Sequence, residues 1–144
     1  MAWARKRARK RKAPVATKAA GAVPLEEDEQ AAFISYLHRL PEPWCDTYFA
    51  VPNDGRRGWN AQRLFKKLGG RRGVPDLVIP IPVKPYHGLY IEFKRTKGSV
   101  TTDEQNWWKA RLQAQGYKAE ICKGTAEAIL LLDTYRNGSG LRWL

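Results

Sequence analysis

The sequence predicts an α/β protein with a mixed central sheet flanked by helices. Two observations lead there. Helix-like and strand-like segments alternate along most of the chain, and the two clearest strand segments follow one another across a turn-rich link. A third concerns amount: 43% of the 144 residues are hydrophobic, enough for a real core in one domain of ordinary size.

The segments are read in order. The acidic cluster Glu26, Glu27, Asp28, Glu29 opens a stretch running to Leu40, in which Phe33, Ile34, Leu37 and Leu40 recur at helical spacing. Acids in its first turn suit the helix dipole, and Pro41 and Pro43 end it. Thr47 to Val51 is β-branched and aromatic and reads as a short strand running into Pro52-Asn53-Asp54-Gly55. Asn60 to Leu68 is a second helix, closed by Gly69-Gly70, and a basic glycine loop continues to Gly73. Val74–Ile81 and Leu89–Lys94 read as the two strands of a hairpin, with Pro75 and Pro80 near the ends of the first. Thr102–Gln115 is a helix with Thr102 as N-cap, Gln105 completing a capping box and Gly116 as C-cap. Trp108 and Leu112 mark its apolar face. Tyr117–Cys122 is a last strand and Thr125–Tyr135 a last helix, and no internal repeat is visible.

The formal net charge of +12 is unevenly placed. Residues 1–24 hold eight of the 26 basic residues and no acid, leaving 18 bases against 14 acids in the rest. The expected organisation is a disordered basic arm at 1–24, a folded domain at 25–136 and a short tail at 137–144. Excess positive charge points to a polyanion, nucleic acid above all. No run approaches the roughly 18 apolar residues of a membrane span, and no apolar stretch follows the basic N-terminus as in a secretory signal. Cys45 and Cys122 make neither a disulfide framework nor a zinc set, and His38 and His87 are too isolated for one. A reduced, cytoplasmic protein without membrane association or small-molecule cofactor is expected.

The chemistry concentrates in Pro75-Asp76 and Glu92-Phe93-Lys94. Side chains alternate along a strand, so Glu92 and Lys94 share one face and Ile91 and Phe93 the other. Asp76 is opposite in parity to Leu77 and Ile79, so the hairpin can bring Asp76, Glu92 and Lys94 together. Both acids sit in otherwise apolar strands, where an unpaired charge is costly unless it serves a purpose. Two carboxylates can hold Mg²⁺ or Mn²⁺, hard ions that prefer oxygen. Such an ion polarises a phosphodiester and lowers the pKa of a bound water, and a lysine beside it can orient that water or steady developing negative charge. The backbone carbonyl of Phe93, between the two side chains, is a further candidate ligand.

This pattern resembles the PD-(D/E)xK nuclease superfamily, and the wider set resembles its virus-type replication-repair branch, the VRR-NUC domain. The matching pieces run in order: Glu26-x3-Gln30, Val51-Pro-Asn-Asp-Gly55, Gly69 through Gly73-Val-Pro-Asp76, Gly88-Leu-Tyr-Ile-Glu-Phe-Lys94, then Gln105 and Gly116-Tyr117. The resemblance implies a restriction-endonuclease-like fold and a metal-dependent DNA endonuclease. Asp76 and Glu92 become metal ligands and Lys94 the catalytic lysine, with an acid of the first helix completing the site. Glu26 is preferred, with Gln30 one turn away on the same face, and Glu29 remains a rival. Small standalone members resemble Holliday-junction resolvases, which implies a homodimer cutting branched DNA. A same-fold nuclease for flaps or duplex, or a non-catalytic nucleic-acid-binding protein, are the alternatives.

Asn53, Arg56, Arg57, Lys66, Lys67, Arg71 and Arg72 bracket turns near the Asp76 strand. They suit a grip on DNA phosphates, with solvated loop charge as the plainer alternative. Trp107 and Trp108 are adjacent, so one must turn outward, either to pack in a core or dimer interface or to stack on an unpaired base. For the arm, the expected outcome of deleting residues 1–24 is weaker DNA binding with a shallower salt dependence, while metal-dependent cleavage persists. A salt titration of binding alongside a cleavage assay checks it.

Overall fold

The computed structural model describes residues 21–52 and 58–138. The predicted arm up to residue 20, Asn53, Arg56, Arg57 and most of the C-terminal tail lie outside the described residues. The elements come in the predicted order: α1 (Glu26–Leu37), β1 (Phe49–Ala50), α2 (Trp59–Lys67), β2 (Leu77–Ile79), β3 (Leu89–Lys94), α3 (Asp103–Ala114), β4 (Lys118–Lys123) and α4 (Thr125–Asn137). The strands form one sheet in the order β1-β2-β3-β4. β1 with β2 and β2 with β3 are antiparallel, and β3 with β4 is parallel, so the sheet is mixed as expected.

The hairpin forms in the register Leu77↔Ile91, Val78↔Tyr90, Ile79↔Leu89. β2 is shorter than the predicted Val74–Ile81, because prolines at both ends remove ladder donors. Leu77, Ile79, Leu89, Ile91 and Phe93 are fully buried. They meet Phe33 and Leu37 of α1 and Leu132 of α4 in one core cluster, with the Phe33 and Phe93 rings 5.5 Å apart. α1 and α4 also tie to each other and to the sheet through polar contacts. The Tyr36 hydroxyl donates to Asp133 at 2.8 Å and the Tyr135 hydroxyl to the carbonyl of Ile81 at 2.6 Å. α1 ends at Leu37, short of Leu40, which leaves helix but still packs against the core.

α3 carries the capping box the sequence announces: Thr102 Oγ1 accepts from the Gln105 N–H at 3.3 Å, and Gln105 Oε1 accepts from the Thr102 N–H at 3.0 Å. Leu112 alone is buried on this helix, so Trp108 is less a core residue than its spacing predicts. α2 has no buried residue at all; Leu64 and Leu68 are exposed.

The four consecutive acids have four different fates. Asp28 accepts from the Leu25 N–H at 3.1 Å and caps α1 itself. Glu29 is buried and caps a different helix: its carboxylate accepts from the N–H of Thr125 at 2.7 Å and from its hydroxyl at 2.6 Å, at the start of α4. Gly124, just before Thr125, has a φ of 87° and no room for a side chain, since a Cβ there would meet Thr96 at 2.7 Å. Glu27 is exposed, and Glu26 turns toward Lys94. Removing the buried cap leaves donors of α4 unsatisfied, so Glu29→Ala is expected to lower unfolding free energy by ~1–3 kcal/mol. Glu27→Ala is expected to change it by less than about 0.5 kcal/mol. Urea denaturation of both variants measures the difference.

Candidate active site

The β2–β3 register extended by one residue sets Asp76 across from Glu92, just where β2 begins. Asp76 does not continue the ladder with its backbone. Its Oδ2 instead accepts the Phe93 N–H at 2.8 Å, while its own carbonyl accepts the Val51 N–H at 2.8 Å. The carbonyl of Lys94 accepts from Gly124 on the β4 side. Backbone groups alternate in direction along a strand, so the carbonyl of Phe93 faces the Asp76 side.

Glu92 and Lys94 project from the same face, both buried. Lys94 Nζ stands 3.4 Å from Glu92 Oε1 and 3.7 Å from Glu26 Oε1, and Glu26 is partly open to solvent. The Gln105 amide donates to the same Oε1 of Glu92; the sequence marks Gln105 as a capping-box and motif position but not as a partner of Glu92. Among the described residues, neither Oδ1 of Asp76 nor Oε2 of Glu92 has a hydrogen-bond partner. Each carboxylate thus has, among the described residues, one oxygen with a protein partner and one without. Among the described residues no three His, Cys, Asp or Glu side chains stand close enough to enclose a metal by themselves. The donors are two carboxylates, the Phe93 carbonyl and Glu26 at the rim, which suits an ion that keeps several waters, as Mg²⁺ does.

Burial raises the proton affinity of both carboxylates. Burial pushes Glu92 up from an ordinary 4.5 to about 8, reinforced by the neighbouring Asp76 charge and opposed by Lys94. Burial also raises Asp76, against the Phe93 N–H and Lys94, which favour its charged form. At neutral pH without a cation, Glu92 therefore holds its proton much of the time, and its contact with Lys94 is a full ion pair only once that proton leaves.

The other predicted residues divide. Gln30 follows Glu26 by one turn and is half-buried. Lys66 is exposed in the last turn of α2. Arg71 and Arg72 lie in the loop leading to Asp76, and that loop is fastened to α3: the Trp108 indole N–H donates to the Arg72 carbonyl at 2.9 Å. Gly73, with φ of 74°, lies so close that a Cβ would come within 2.7 Å of Glu104. Trp107, beside it, is 47% exposed.

One end of the two inner strands with paired carboxylates and a lysine, flanked by helices in this order, fits a nuclease-type α/β fold. The profile of the VRR-NUC domain matches residues 26–126. The chain belongs to the VRR-NUC domain family. A solved structure described as a VRR-NUC domain protein is similar, with 28% identity and a TM-score of 0.70, covering 79% of this chain and 89% of that one. No curated protein gives a significant match. No helix among the described residues is long and apolar enough to cross a membrane.

The pKa shifts set a pH dependence of stability. Folded Glu92 keeps its proton to about pH 8, whereas the unfolded chain releases it near 4.5. The folded state thus binds more protons across that window, and unfolding free energy falls as pH rises through it. Raised Asp76 acts in the same direction. Urea unfolding in EDTA should show this decline, Glu92→Gln should flatten it, and added Mg²⁺ should restore stability on the alkaline side.

Proposed function

We propose that this protein is a divalent-metal-dependent, structure-selective DNA endonuclease, acting on branched DNA in the manner of a Holliday-junction resolvase. The observation that carries this is the meeting of Asp76, Glu92, Lys94 and Glu26 at one end of the sheet. The family and the basic composition make DNA the substrate that fits.

Asp76 and Glu92 would hold Mg²⁺ or Mn²⁺, with the Phe93 carbonyl and Glu26 as further oxygen donors. The ion, when bound, polarises the scissile phosphate and acidifies a water. Lys94, buried between Glu92 and Glu26, orients that water and offsets negative charge growing on the phosphate oxygens. Gln105 holds Glu92 in place through one oxygen. Gln30, one turn beyond Glu26 on the same helix, assists from there. Arg71 and Arg72, carried on the loop that delivers Asp76, grip flanking phosphates; Lys66, with Asn53, Arg56 and Arg57, extends that grip.

Support for a homodimer comes from α2. Ala61, Leu64, Phe65 and Leu68 form an apolar stripe along a helix with no buried residue. A two-fold pair would present two sites to the two strands of a junction.

Labelled four-way junction, flap, single-stranded and duplex DNA, incubated with Mg²⁺ or Mn²⁺, test the proposal. Junctions are expected to be cut fastest, with no cleavage in EDTA. Asp76→Ala and Lys94→Ala are each expected to lower kcat by on the order of 10²–10³. Cleavage surviving both substitutions would overturn the site. Preference for duplex or flaps would remove the resolvase assignment alone, and binding without cleavage of any substrate would leave a non-catalytic DNA-binding protein.

A further inference from the structure

The wall of the site formed by α3 has a feature the cleavage chemistry does not use. Trp107 and Trp108 pack edge to face, with centroids 5.1 Å apart at 87°. Trp108 is pinned by its bond to Arg72, while Trp107 is left 47% exposed, a large exposure for an indole. The Arg71 guanidinium lies 5.6 Å and 5.4 Å from the two ring centroids, and Arg111 lies 5.7 Å from that of Trp107. A cavity of about 420 Å³ opens here, lined by Arg71, Arg72, Asp103, Glu104, Trp107 and Trp108. Its size is that of a small-molecule site.

The cavity and the carboxylate pair are built on the same two segments, the first turns of α3 and the loop that leads to Asp76. Gln105, which contacts Glu92, sits between Glu104 and Trp107 on the first turns of α3. Arg72 precedes Asp76 by four residues on the other wall.

We propose that Trp107 is a stacking platform for an unpaired nucleobase beside the scissile phosphate, so that the substrate must carry a splayed or single-stranded segment at the cut. This deepens, and rests on, the nuclease function proposed above. Arg71 and Arg111 lie over the Trp107 ring; when they swing out to the connecting phosphates, the exposed indole offers a π-face that any base can use. Asp103 and Glu104 decide which part of the nucleotide enters. Two carboxylates repel a phosphate from the cavity itself but accept hydrogen bonds from exocyclic base amines. The base goes in and the backbone stays on Arg71, Arg72 and Arg111. A subunit interface fits this surface poorly, because it would desolvate three arginines and two acids, and charged residues are depleted from interface cores.

The test uses the full chain in EDTA, so that binding is read whether or not the protein cleaves. Fluorescence anisotropy compares a splayed-arm DNA with a blunt duplex of equal length. Trp107→Ala is expected to weaken splayed-arm binding by about 5- to 150-fold, the range for loss of one stacked base. Duplex binding should change less than about twofold, and Trp107→Phe should recover most of the loss. A fluorescent adenine analogue at the branch should be quenched by the wild type and not by Trp107→Ala. The unfolding midpoint, measured in parallel, should stay unchanged. Equal loss on both DNAs, no loss on either, or a drop from dimer to monomer in sedimentation on Trp107→Ala would each overturn the platform. A cleavage-inactive protein that still shows the selective loss would refute the nuclease function and leave the platform standing.

Discussion

The antiparallel register of β2 on β3 is the constraint from which the site follows. It pairs Leu77 with Ile91 and Ile79 with Leu89, and so sets Asp76 against Glu92 one step further along. A slip of one residue would turn Leu77 and Ile79 to the polar face and Asp76 into the core. Burying such side chains is worth about 1.5–3 kcal/mol each. That apolar free energy holds two mutually repelling carboxylates side by side, in surroundings where burial already penalises their charge. The apolar face of the sheet thus supplies the stability, and the other face carries two carboxylates of raised proton affinity.

The helices then complete what the hairpin begins. α1 packs Phe33 on Phe93, the residue between Glu92 and Lys94, and this contact sets the first turn of the helix near the carboxylates. α3 is tied down by its own capping box, and the same Gln105 that closes the box reaches Glu92. One side chain therefore couples the position of the helix to the orientation of a candidate ligand. Gly73 and the Trp108–Arg72 bond lock the loop before Asp76 onto that helix.

Much of this was legible along the chain. Alternating side chains named Asp76, Glu92 and Lys94 as one set, and the capping box marked the start of α3 to the residue. The elements came in the expected order because each is a local pattern bounded by Pro or Gly. The limits lay where neighbours in space decide. The sequence prefers Glu26 but leaves Glu29 a rival, since four acids in a row all suit a helix start. Only the approach of α4 turns Glu29 into its cap, and only the end of β3 gives Glu26 a lysine. Spacing placed Trp108 on the apolar face of α3, but the loop at Arg72 lies there and binds the indole, while Trp107 stays open.

What the amino-acid order determined alone is the inventory: which segments bury a face, which residues carry oxygen donors and positive charge, and the motif spacing that marks the family. Those are properties of local periodicity and composition. The tertiary structure decided the partnerships: Gln105 with Glu92, Glu29 with Thr125, Arg71 with the two indoles, and the raised proton affinity of Glu92. Each joins residues far apart in the chain and depends on distances and desolvation that exist only once the sheet and helices have packed.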